Sequence, residues 1–363
     1  MPSQLRTIRR IFSWCLPPIL LLIVFQKIDF DRLWQIFVQA DVPLLLAGLL
    51  LVSLIVVAGA MRWQVLLRRC ACASLPLTVA VGEYWKSLAV GVLVPGSVGS
   101  DAYRVIVAGR RQGAYLRSAV IVGVEKLVAL LTCLALLAVL YPVLAWDRLP
   151  GEVTPLIHGM YGLLCLAAVL VFLLFILGRY RWLRHFATVF SARFEALARR
   201  LTLYTDRSGR EEWPPGSGLG LMRTVVAPRV ALPVAFLSLV VYLVSAIQAQ
   251  LYFQGLGFEI SFAVNLFVTP LVYLLISLPV TFGGLGVREG AHVLLYGAFG
   301  VPAETALAVS FCSLLGLLFS YGVGAVLFFW AGRESAVLRA VSAGTQGEGP
   351  ARQDRPSDGD LSP

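Results

Sequence analysis

Apolar residues in this chain come in long unbroken runs, and polar residues gather in short clusters between them, unlike the regular alternation of a soluble element. Runs at 11–28, 44–60, 118–146, 156–178, 230–254 and 305–330 approach or exceed the roughly 17–25 residues that cross a bilayer as a helix. Two further apolar stretches are broken. Leu75–Val94 carries Glu83 and Lys86, stops at Pro95 and resumes near Asp101; Phe262–Pro279 stops in a Gly-rich loop and resumes over Val287–Phe299. The two breaks look like copies. In Leu93-Val-Pro-Gly-Ser-Val-Gly-Ser-Asp-Ala-Tyr-Arg104 and in Ser277-Leu-Pro-Val-Thr-Phe-Gly-Gly-Leu-Gly-Val-Arg-Glu-Gly290, a Gly follows the Pro by four positions (Gly99, Gly283) and an Arg by nine (Arg104, Arg288). A Pro/Gly break repeated in two halves of a membrane chain points to a transporter's binding site.

Charge then sets the path of the chain. Apolar residues make up 58% and charged residues 14%, which places the chain among integral membrane proteins. The formal charge of +10 does not indicate nucleic acid, because Lys and Arg cluster between spans on alternate sides, as the positive-inside rule expects. Of the 30 Lys and Arg, Lys27, Arg32 and Arg148 fall on the outer side, Lys126 and Arg288 lie inside apolar segments, and the other 25 belong to the cytoplasmic side or to the hairpin rooted there. Arg6, Arg9 and Arg10 before the first run give it the start of a signal peptide, but no small-x-small cleavage site follows, so an uncleaved span kinked at Pro17-Pro18 is expected. Arg62, Arg68 and Arg69 mark the cytoplasmic end of the second span, with Trp63 at the interface. Arg110, Arg111 and Arg117 form a second cytoplasmic cluster, so 75–110 enters and returns with its tip at Pro95–Asp101. The loops around the second break carry Glu259 and Glu304 and no basic residue, so that hairpin enters from outside.

The expected fold is therefore all-α: about six full spans plus two re-entrant hairpins of opposite orientation, an inverted repeat also countable as seven or eight transmembrane helices. Residues 1–10 form a cytoplasmic N-terminus, 11–335 the polytopic domain, and 336–363 a cytoplasmic tail, disordered by composition from Ser342 onward. Within the domain, 179–229 is a cytoplasmic connector with ten Arg, read either as a surface-lying helix or as a solvated basic face.

Candidate chemistry concentrates at the breaks. Asp101, Arg104, Glu125, Lys126, Arg288 and Glu289 are ionisable residues inside apolar segments, where a charge costs roughly 2.5–3.5 kcal/mol on insertion scales. Each also has a plain reading. Asp101 can cap the helix starting there and pair with Arg104 at i, i+3; Lys126 can snorkel to the interface. His292 reads as a packed polar residue, and Asn265, Gln248 and Gln250 as hydrogen-bond partners between helices. With Pro95, Gly99, Pro279, Gly283, Gly284 and Gly286, the six charges make up the expected substrate path. Helix N-termini after both loops, with Arg104 and Arg288, suit a phosphate-bearing or otherwise anionic lipid headgroup. Six cysteines and three His show no zinc-ligand spacing, and no Gly-x-x-x-x-Gly-Lys-[Ser/Thr] stretch exists, so neither metal, cofactor nor nucleotide chemistry is expected.

At these residues the sequence resembles the flippase-like family defined by the transmembrane region of lysylphosphatidylglycerol synthases. The likeness covers roughly 10–335 and rests on Arg62-Trp63, on Pro95…Gly99-Ser-Asp101…Arg104, on Glu125-Lys126 where relatives commonly have Glu-Arg, and on Pro279…Gly-Gly-Leu-Gly-x-Arg-Glu289. Ser100 stands where the family pattern usually has a second Gly. The resemblance implies a protein of the bacterial inner membrane that moves lipids or lipid-linked headgroups between leaflets, its partners being membrane lipids and not nucleic acid. It implies no aminoacyl transfer, which belongs to a soluble domain of the full synthases, so the chain is not expected to be an enzyme. Two other classes stay open: a membrane-embedded transferase using Asp101, Glu125 or Glu289 as general base, and a non-transporting scaffold docking through 179–229. The topology has a direct test: a cysteine at Gly257 should label from outside and one at Gly109 from inside, and labelling of both from one side removes the inverted repeat.

Overall fold

In the computed structural model, residues 28–70, 75–92, 98–112, 115–144, 227–277 and 284–346 are described, together with isolated positions at 18, 21, 22, 25, 26, 159, 162 and 224. Among them the chain is helical throughout: α1 Phe30–Val38, α2 Val42–Arg69, α3 Leu77–Gly91, α4 Val98–Gln112, α5 Tyr115–Leu144, α6 Pro228–Gly255, α7 Phe262–Ser277, α8 Val287–Gly297 and α9 Ala303–Gln346. Four stretches, Val42–Arg69, Arg117–Leu140, Pro228–Gly255 and Ala303–Trp330, are long and apolar enough to cross a membrane. They coincide with the expected second, third, fifth and last spans. The runs expected at 11–28 and 156–178, the connector and the tail beyond Gln346 lie almost wholly outside the described residues. Helix α9 continues to Gln346, so the backbone of 336–346, expected in the tail, is helical.

Local sequence explains where the helices start and stop. Asp29 caps α1 by accepting from the amides of Asp31 at 3.0 Å and Arg32 at 3.2 Å. Asp41 does the same for α2 through the amide of Leu44, with Pro43 in the first turn. The backbone N–H of Asp41 also donates to the carbonyl of Gly255 at 2.7 Å, tying the start of α2 to the end of α6. Gly257 and Gly300, at φ of 73° and 80°, supply the left-handed residues that turn the chain after α6 and α8. Helix α1, a nine-residue element, was not expected; its cap and its packing against α9 place it beside the bundle.

The long helices are apolar on all faces, as membrane spans are. On α2, Leu46, Leu50 and Leu54 point outward at i, i+4, i+8, while Gly48, Val52 and Val56 are buried. Two large clusters fill the interior. One joins α6, α7, α8 and α9 around Phe253, Val268, Tyr296 and Leu307. The other joins the end of α2, the start of α3, α4, α5 and the start of α6 around Trp63, Leu67, Ile121 and Val234. Trp63, expected to suit the interface, is fully buried there, and its indole N–H has no partner among the described residues.

Helices α3 and α4 have 15 residues each, and α7 and α8 have 16 and 11. At 1.5 Å per residue these are about 16–24 Å long, short of the roughly 30 Å of a hydrocarbon core. Each pair packs on itself and on long helices, α3 against α9 and α7 against α6. The approach of α9 to α3 is close: a Cβ at Gly324 would run into the backbone carbonyl of Trp85. The glycines chosen for labelling are poorly suited to it. Gly109 is buried and a side chain there would meet the Tyr115 ring, whereas Arg110 beside it is exposed; Gly257 needs its positive φ, whereas Glu259 nearby is exposed. Gly324→Ala should separate α3 from α9 and cost about 1–3 kcal/mol, as overpacking does. Thermal unfolding of the purified variant in detergent checks it: an unchanged midpoint means the contact is soft.

Candidate functional site

Glu125 lies eight residues into the Arg117–Leu140 span, about 12 Å along it by helical rise. Its carboxylate is buried and held from two sides. On Oε1 it accepts from Arg62 Nε at 3.0 Å and Nη2 at 2.8 Å; on Oε2 it accepts from Arg104 Nη1 at 2.6 Å. Arg104 Nη2 donates to Asp101 Oδ1 at 2.7 Å, and the second oxygen of Asp101 pairs with Lys126 Nζ at 2.8 Å. The five side chains form one line of alternating sign: Arg62, Glu125, Arg104, Asp101, Lys126. They join α2, α4 and α5. Charge-assisted bonds of this kind are short and strong when desolvated, and a charge buried without its partner would be expensive.

Several expectations meet this arrangement differently. Asp101 and Arg104 do pair at i, i+3. Glu125 and Lys126, neighbours in sequence, pair with different residues, because adjacent positions on a helix point about 100° apart. Arg62, read as an orientation charge, is instead a part-buried member of the line, and its Nη1 also donates to Ser238 Oγ on α6 at 3.1 Å. The available signal was the apolar stretch Trp63–Leu67 that follows Arg62 before the basic pair Arg68-Arg69: a helix ending at Arg62 would not need it. Ser238 and Tyr84 were missed as well, and nothing in their neighbourhood singles them out. The Arg104 guanidinium lies over the Tyr84 ring, 4.9 Å from its centroid.

The start of α4 is closely packed. Gly99 and Ser100 are buried, Ser100 Oγ lies 3.0 Å from Ser87 Oγ on α3, and a Cβ at Gly91 would come within 3.3 Å of the Ser100 Cβ. The extra side chain at position 100 is thus accommodated by a glycine opposite. Pro95 lies outside the described residues, as do Pro279 and Gly283.

The second break is arranged another way. Gly284 and Gly286 have φ of 74° and 79°, which side chains rarely adopt, and Gly286 caps α8. Glu289 reaches back to accept the Gly286 amide at 2.6 Å on one oxygen, and holds Arg288 through Nη2 at 2.9 Å on the other. Both side chains are buried, and the ion pairs of the two breaks do not join among the described residues. His292 Nδ1 lies 2.9 Å from the carbonyl of Arg288, in keeping with a packed polar residue. The pair α7–α8 is tied down by neutral groups: Tyr296 Oη donates to Asn265 Oδ1 at 2.9 Å, Asn265 Nδ2 to Gln250 Oε1 at 2.7 Å, and Gln250 Nε2 to the carbonyl of Ile260 at 3.1 Å. Gln248 Nε2 likewise reaches the carbonyl of Gly48 at 3.0 Å. These amides bond between segments as expected.

Among the described residues no group of three or more His, Cys, Asp or Glu is placed to hold a metal ion. The family model described as the lysylphosphatidylglycerol synthase TM region matches residues 11–326. No curated protein and no solved structure matches the chain.

Removing Glu125 would leave the part-buried Arg62 without a carboxylate and Arg104 with Asp101 alone. Glu125→Ala should therefore destabilise by about 3–5 kcal/mol, the cost of breaking a buried pair. Ser238→Ala, which removes one acceptor from an Arg62 that keeps its carboxylate, should cost only about 0.5–1.5 kcal/mol. Thermal unfolding in detergent compares them; equal effects would show that Glu125 is not the centre of the line.

Proposed function

The chain belongs to the lysylphosphatidylglycerol synthase TM region family, and on that footing we propose that this multi-pass membrane protein is a lipid translocase of the bacterial inner membrane. Its work is to carry a lipid headgroup, free or lipid-linked, between the leaflets. The observation that carries this reading is the charged line Arg62–Glu125–Arg104–Asp101–Lys126, buried at Glu125 and Arg104. Each of those charges is costly in hydrocarbon, and ionisable residues kept inside spans usually serve a polar route. The line stands beside the break between α3 and α4, two helices each too short to cross alone.

The broken pairs α3–α4 and α7–α8 fit the role of re-entrant hairpins in an inverted repeat. Backbone broken at membrane depth is stable only where protein or a wet cavity satisfies its amides and carbonyls. Glu289 does this at one place, for Gly286. A headgroup crossing the bilayer needs the same kind of surface, polar and shielded from acyl chains.

The test is movement itself. In vesicles reconstituted with the full chain, a headgroup-labelled fluorescent phospholipid should become accessible to a membrane-impermeant quencher faster than in empty vesicles. Arg104→Gln should slow it about tenfold or more, the scale of a lost charge-assisted hydrogen bond. Wild-type vesicles that behave like empty ones sink the translocase reading.

A further inference from the structure

Helix α1 divides its surface three ways. Its nine residues rise about 14 Å, less than half of a bilayer core, so it cannot cross. At about 100° per residue, Leu33, Ile36 and Phe37 take one side, Phe30, Trp34 and Val38 the next, and Asp31, Arg32 and Gln35 the third. The first side is covered: Leu33 is buried, and Ile36 and Phe37 pack with it in the apolar cluster of α6–α9. The third side is polar and exposed. The second is apolar and open, with Phe30 58%, Trp34 70% and Val38 67% exposed. Three of the six apolar side chains of α1 therefore lie outside the core that the other three help to build.

The open side runs on into a surface that lipid covers. Phe30, Trp34 and Val38 stand four residues apart, and Val42, Leu46, Leu50 and Leu54 carry the same interval along α2, all of them exposed. Helix α2 is long and apolar enough to span, so its outward stripe faces hydrocarbon. Both ends of α1 are pinned to the spans. Asp41 follows it, holding the Gly255 carbonyl through its own amide and capping α2. At the other end the Asp29 N–H donates to Glu304 Oε1 at 3.3 Å, in the first turn of α9.

We infer that α1 is an interfacial helix, lying in the headgroup–acyl boundary at the end of the bundle where α2 and α9 begin. Phe30, Trp34 and Val38 dip into lipid, while Asp31, Arg32 and Gln35 face water. The occupant of the open side is the membrane lipid itself. A short helix with one polar and one apolar side fits that boundary, at a depth of roughly 5–10 Å. Trp34 suits it further, since an indole has an apolar ring and a polar N–H. Leu33 shares its cluster with residues of α7 and α8, so the helix also fixes the level of the second broken pair against one membrane surface. The inference rests on the chain being a multi-pass membrane protein and holds whether or not it moves lipid.

The experiment reads Trp34 in the full chain, reconstituted in phosphatidylcholine vesicles, as the difference in emission between wild type and Trp34→Phe. The other tryptophans cancel in that difference. Phosphatidylcholine brominated near the headgroup should remove most of the Trp34 emission. Lipid brominated at the chain ends should remove less, and acrylamide in the water little. Adding Gln35→Trp to Trp34→Phe moves the reporter about 100° around the helix and should reverse the pattern, with acrylamide quenching and the bromines sparing it. Both positions are exposed, where substitutions seldom disturb folding. Trp34 emission that yields to acrylamide and not to bromine puts that side in water and overturns the inference. Emission spared by both puts protein there, a second copy included, and overturns it too. So does strongest quenching from the chain ends, or a Gln35→Trp reporter that behaves as Trp34 does.

Discussion

A single carboxylate shared by two guanidinium groups holds the first half of this molecule together. Glu125 is buried, and removing a carboxylate from water is repaid only if both its oxygens are filled with good geometry. Arg62 fills one and Arg104 the other, and each comes from a different helix. The arrangement fixes α2, α4 and α5 at one point in hydrocarbon-like surroundings, where side-chain packing alone discriminates weakly between helix positions. The apolar cluster around Trp63 and Ile121 then packs around a point that is already set.

The two halves solve the same problem with different chemistry. Around α4 the bonds are ionic and run between helices; around α8 they are an ion pair closed on itself, backed by a chain of amides and a phenol. Amide and hydroxyl bonds are directional and neutral, so they secure α7 and α8 without creating an electric field. The ionic line does create one. That difference makes the sequence repeat deceptive: two arginines at matched positions have different partners and different net surroundings.

Much of the architecture was legible because its cause is local. Run length decides which segments can span, and four expected spans are found, although the second runs nine residues past its expected end at 60. Asp29, Asp41, Gly257 and Gly300 set helix ends through capping and positive φ, local causes that the sequence reading did not use. The ionisable residues were also legible as a set, since each interrupts an apolar run. Who pairs with whom was not. Glu125 and Lys126 sit side by side in the chain, and only helix geometry together with the approach of α2 and α4 sends them to different partners. Arg62 was misread because a basic residue near the end of a span usually marks an interface, and the rule counts charges without knowing how far the helix goes on. Ser238 and Tyr84 acquire a role only from what packs against them.

The graded burial along the charged line bears on how the sequence can drift. The Lys126 side chain is 44% exposed, so a cation of either kind, Lys or Arg, can reach Asp101 from there. At the start of α4, Ser100 in place of a glycine is matched by the missing side chain at Gly91 and by the hydroxyl of Ser87. Glu125 has no such latitude: its replacement takes the only carboxylate from Arg62, whereas the loss of Arg62 or of Arg104 still leaves Glu125 one guanidinium.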